Sequence, residues 1–161
     1  WCKRVMELIY DKLLEEADSE NLYVIENANF QSQASGLINN DVIGINKNVR
    51  SYAKRNCILA EEIGHYKTTV GNIIDQSSAA NRKQELKARM WAYNRLIGLR
   101  GIISCYQAGC NNVYEMAEYL DIAEQFLTDA LERYKSKYGE HVQVDNYVIY
   151  FVPTLAVFQI L

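Results

Sequence analysis

Glu61-Glu62-Ile63-Gly64-His65 is the segment whose residue types and spacing can do chemistry. On an α-helix, residues i and i+4 share a face, about 5–6 Å apart at Cβ. Glu61 and His65 can therefore grip one ion from adjacent turns. This is the geometry of an H-E-x-x-H metal helix with glutamate at its first position. Glu62 is rotated by about 100° from Glu61, where it can take a proton from water without itself binding the ion. A catalytic zinc takes three protein ligands and keeps one position open. The third ligand must come from elsewhere, and Glu85 on the following helical stretch is the natural candidate.

A carboxylate ligates zinc at about 2.0–2.2 Å and an imidazole nitrogen at about 2.0–2.1 Å. Glu61 is thus a possible ligand that adds a negative charge. Two carboxylates, Glu61 and Glu85, would cancel the ion's charge and so weaken its Lewis acidity. A carboxylate-rich site is also more hospitable to manganese, although zinc is the first expectation for the single divalent ion. Three outcomes stay open: an altered peptidase, a metal-binding protein that does not cleave, and a site without metal.

The elements that must position these residues are legible as patterns. Apolar residues at Val5, Leu8, Ile9, Leu13 and Ala17 predict an N-terminal helix. Leu22 to Ile25, Ser35 to Ile38 and Val42 to Ile45 predict a small antiparallel sheet of about three strands, with a tight turn at Asn39-Asn40-Asp41. Val49 to Tyr66 is helical and carries the motif. Gly71 to Asn81 reads as a loop, and Arg82 to Cys105 as one long helix kinked near Gly98 or Gly101. Two more helices, Val113 to Leu120 and Ala123 to Tyr138, lead to a hairpin over Val142 to Val152. The fold class is α+β in a single domain, residues 1–161. The strand near Val42 to Ile45, taken as an outer strand, is expected to align an extended substrate by edge pairing.

The run Leu59-Ala60-Glu61-Glu62-Ile63-Gly64-His65, followed by Glu85-Leu86-Lys87-Ala88 and then Trp91-Ala92, resembles the ImmA/IrrE metallo-endopeptidases. Their pattern is an L-A-H-E-L-G-H helix, then a second helix with E-x-x-A and an aromatic-Ala pair. The resemblance spans about Tyr23 to Ile97. It implies that Glu62 is the general base and that His65 and Glu85 are metal ligands, with Glu61 standing where the family has its first His. It further implies a regulatory protease of a phage or mobile element that acts on a repressor with a helix-turn-helix domain. The competing reading is a catalytically inactive protein of the same fold that binds such a partner. The blandest reading puts Glu61 and Glu62 on a solvated helix face and makes His65 a hydrogen-bonded core histidine.

Composition bounds the rest. Apolar residues are 49% and charged residues 23% of 161, as in an ordinary globular protein. A net charge of -3 gives no electrostatic reason to expect nucleic acid as a direct partner. No apolar run approaches the ~20 residues that span a bilayer. Trp1-Cys2-Lys3-Arg4 lacks the features of a secretion signal, so the expectation is a cytoplasmic chain with reduced Cys2, Cys57, Cys105 and Cys110. Cys57 is expected in the core and His141 at the surface. Arg82, Lys83, Lys87 and Arg89 are expected to form a solvated face. Val113 to Tyr138 is expected to be a packing helical hairpin, because Glu124, Asp129 and Glu132 suit a DNA-reading helix poorly.

Overall fold

The computed structural model describes residues 2–69 and 78–161, and the side chains of residues 9–69 and 79–161. The chain divides into two compact units, Trp1–Ala92 and Tyr93–Leu161. Both mix helices with a small sheet, so the α+β class holds.

The first unit starts with helix α1 (Cys2–Ser19), followed by strands β1 (Tyr23–Ala28), β2 (Gly36–Asn39) and β3 (Val42–Asn46), then helix α2 (Tyr52–Thr68). Helix α3 runs from Ser78 to Leu96. β2 and β3 form the expected hairpin, Asn39 facing Val42 across a turn in which Asn40 takes φ 53°. Asparagine tolerates that left-handed conformation better than most residues.

The sheet is mixed rather than antiparallel, a correction to the sequence reading. Its order is β1-β3-β2, and β1 runs parallel to β3 with Tyr23 opposite Val42. Val42 to Ile45 is accordingly the central strand, and its expected role as an outer strand is wrong. The reason lies in the connection after β1. Gly44 has no side chain, and the Phe30 ring occupies the space a Cβ there would fill. Asn46 Nδ2 donates to the Ala34 carbonyl at 2.9 Å, and Asn46 Oδ1 accepts from the Asn48 amide at 3.0 Å. The chain thus crosses β3 and reaches its far side, leaving β1 and β2 as the edges.

Ile43 and Ile45 are fully buried, as are Leu13 and Ala17 of α1 and Leu59, Ala60 and Ile63 of α2. Full burial of each large aliphatic side chain contributes roughly 1.5–3 kcal/mol, so this cluster fixes α2 against its neighbours. Cys57 joins it, 6% exposed, as expected of a core cysteine.

The second unit continues with helices α4 (Gly98–Gln107), α5 (Val113–Leu120) and α6 (Glu124–Tyr138), then strands β4 (His141–Val144), β5 (Tyr147–Tyr150) and β6 (Ala156–Gln159). The expected long helix is broken rather than kinked. Gly98 takes φ +60°, a left-handed value that separates α3 from α4. The expected loop over Gly71 to Asn81 lies partly outside the described residues, and its final four residues are already helix α3. α5 and α6 pack as a hairpin around Asp121, which is buried and left-handed at φ 53°. The C-terminal hairpin is present and gains a third antiparallel strand, β6. Among the described residues no helix is long and apolar enough to cross a membrane.

Candidate active site

Helix α2 opens with Ser51, whose side chain accepts from the Lys54 amide at 3.4 Å and caps the first turn. Its core face is Asn56, Cys57, Leu59, Ala60, Ile63 and Gly64. Glu61, Glu62 and His65 border that face and are half-buried, so none lies on a fully solvated surface.

What brings α3 to them is a close helix crossing. A Cβ on Gly64 would lie 2.5 Å from the Ala88 carbonyl oxygen and 3.3 Å from the Trp91 ring. Ala88 and Ala92 are themselves fully buried. The small residues of the motif are thus the contact surface, and the catalytic candidates lie beside it. His65 follows Gly64, and Glu85 lies three residues before Ala88. Their side chains meet, His65 Nε2 lying 3.2 Å from Glu85 Oε2. The other Glu85 oxygen accepts from Arg89 Nε at 3.0 Å, which steadies the carboxylate. Lys67 ties the end of α2 to the end of α1 through Glu20 (2.7 Å) and Glu16 (3.5 Å), and its ammonium lies 5.5 Å from the Trp91 ring centroid.

Glu62 packs against β2. A Cβ on Gly36 would come within 2.8 Å of Glu62 Oε1 and would overlap the Ile58 side chain, so glycine lets the strand approach without displacing either. Its pKa is pushed up to about 7 by burial first and then by the charges of Glu61 and Glu85. Three carboxyl groups and one imidazole therefore share one neighbourhood.

The fit to a divalent ion is met at two positions. Two donors at about 2.0–2.1 Å from a tetrahedral ion stand about 3.3 Å apart, close to the 3.2 Å between His65 and Glu85. The same separation is also within ion-pair reach. Among the described residues no group of three or more His, Cys, Asp or Glu side chains is arranged to hold an ion, so Glu61 does not complete a three-ligand cluster. With His65 and Glu85 side chains 28% and 47% exposed, the pair is open to water and to an incoming ligand.

Of the α3 cations, Arg89 reaches this group through Glu85. His141 is exposed and stacks on Tyr150 at 5.2 Å. Arg82, Lys83, Lys87 and Arg89 are exposed, the solvated face expected of them. Two site features escaped the sequence reading, the Gly36 approach to Glu62 and a polar cleft beside the start of α2. Only the glycine offered a signal, as an interruption in a strand pattern.

Comparison with known proteins returns no matching family model, no similar curated protein and no similar solved structure.

Alanine at His65 or at Glu85 is expected to weaken zinc binding more than about 100-fold, beyond the 10–100-fold typical of residues that only orient a ligand. Competition with a chromophoric chelator measures it. If both variants bind as tightly as the parent, His65 and Glu85 are not metal ligands.

Proposed function

We propose that this chain is a metal-dependent endopeptidase of the ImmA/IrrE type. The observation that carries the reading is the 3.2 Å approach of His65 to Glu85 across two helices, with Glu62 half-buried beside them. His65 and Glu85 would hold the ion, and Glu61 would have to turn toward it on binding to serve as the third donor. The ion, zinc first and manganese next, would supply Lewis acidity toward a scissile carbonyl.

The chain's own residues do the rest. Glu62 takes a proton from the attacking water and passes it to the leaving amine. A carboxyl with a pKa of about 7 suits both transfers near neutral pH. Arg89 keeps Glu85 oriented. The edge strand β2, not β3, lies against Glu62 and aligns an extended substrate by backbone pairing. The substrate in this reading is a cytoplasmic protein, a repressor with a helix-turn-helix domain, and neither nucleic acid nor membrane is a direct partner.

A second reading is a binding module that retains the fold without cleaving. It is favoured by Glu61 and by the incomplete ligand cluster among the described residues. Glu61→His separates the two. Imidazole ligates as a neutral group, so the swap removes one negative charge from around the ion and restores H-E-x-x-H. A peptidase gains both zinc affinity and cleavage of a candidate repressor, whereas a binding module gains zinc affinity alone. Zinc affinity unchanged in both Glu61→His and Glu61→Ala would remove Glu61 from the ligand set.

A further inference from the structure

A cleft of about 580 Å³ beside the N-terminal end of α2 ends at Ile58, one helical turn before Glu62, and carries chemistry that the proposed proteolytic site does not use. Ile58 lines it, and Ile58 and Glu62, one turn apart on α2, both pack against Gly36. Ser35 also lines it and directly precedes strand β2. The cleft therefore begins where the β2 edge begins.

Its charge is one-sided. Arg50 and Lys54 line it, and among the described residues no Asp or Glu does. Both are exposed, and among the described residues neither pairs with a carboxylate. The neighbouring Arg55 is engaged instead, with the Val49 carbonyl at 2.8 Å and Glu26 at 4.0 Å. Asn46, 7% exposed, also lines the cleft and fixes its wall through Ala34 and Asn48. The positive end of the α2 dipole adds to the field of the two cations.

We infer that this cleft takes an acidic side chain, Asp or Glu, of the substrate polypeptide. The inference rests on the proteolytic reading for its register. Lys54 and Glu62, eight residues apart on α2, are separated by about 12 Å along the helix axis. An extended peptide rises about 3.3 Å per residue, so the acidic residue sits about four residues from the bond attacked. A peptide is favoured over a nucleic-acid strand because two cations on a chain of net charge -3 neutralise little phosphate, while the β2 edge leads straight into the cleft.

The test titrates fluorescein-labelled, alanine-rich decapeptides, each with one fixed residue, into the full chain carrying Glu62→Gln, and reads anisotropy. Asp or Glu at one position is expected to bind about fivefold tighter than Asn or Gln, as two exposed charge pairs allow, with the advantage shrinking at high salt. Arg50→Gln with Lys54→Gln, both at exposed positions and checked for fold by circular dichroism, is expected to abolish that preference. Equal binding of acidic and amide peptides at every position, or a preference that survives in the double variant, overturns the inference. Displacement of the acidic peptide by single-stranded DNA at comparable concentration overturns it too, by assigning the cations to phosphate. Acidic preference in binding, combined with no cleavage of those peptides by the parent chain loaded with zinc or manganese, upholds the cleft and sinks the proteolytic reading.

Discussion

Gly64→Ala lowers stability by about 1–3 kcal/mol, the usual cost of forcing atoms into a packed site. The sign is the test. Glycine within a helix ordinarily costs about 0.5–1 kcal/mol relative to alanine, so the same substitution on a free helix surface would stabilise. Here the new methyl would sit 2.5 Å from the Ala88 carbonyl oxygen, and backbone on both sides must shift to make room. Because Glu85 lies one turn from Ala88, separating the helices also pulls Glu85 from His65, and metal affinity should fall with stability. Urea denaturation with chelator competition reads both. A Gly64→Ala variant as stable as the parent would mean that α2 and α3 do not meet at this residue.

Glu62→Gln is expected to act in opposite directions on stability and on activity. In the chelator-treated protein, the Glu62 carboxyl has its pKa raised from an ordinary 4.5 to about 7. The folded state therefore holds this proton more tightly than the unfolded chain does. That contribution to stability is fully present below pH 4.5 and is lost as pH rises through about 7. Glutamine cannot ionise, so above pH 7 the variant should exceed the parent by about 2 kcal/mol, allowing for partial solvent access. Hydrolysis should fall by about 10²–10⁴-fold, the usual worth of a positioned proton acceptor. Chemical denaturation at pH 5 and pH 8, with a cleavage assay, covers both. Equal stability of variant and parent at pH 8 would deny the raised pKa, and cleavage at the parental rate would exclude Glu62 as the base.

The parts of the fold legible in the sequence were those governed by local chemistry. Asn40 sets the β2–β3 turn, apolar spacing sets α1 and α2, and Gly139 closes α6. The parallel pairing of β1 was not legible, because the steric allowance at Gly44 is meaningful only once Phe30 lies across it. Nor was β6, a short run after Pro153 with no turn residues to frame it. At the candidate site, helical spacing foretold that Glu61, Glu62 and His65 lie near one another. The contact between His65 and Glu85 depends on the depth at which Gly64 and Ala88 let two helices approach. The sequence displays those small residues but not their meeting.

The four-residue edge strand β2 also bears on colloidal behaviour. An unpaired edge can recruit another copy of the chain, and proteins commonly guard such edges with lysine, proline or a bulge. Gly36-Leu37-Ile38-Asn39 has no charge and no proline, and Leu37 is 48% exposed. Its shortness is the safeguard, since few backbone groups are available for sheet growth. On the proposed reading, in which this edge stays open to a substrate, the strand is thereby held brief, and each added residue would trade solubility for grip.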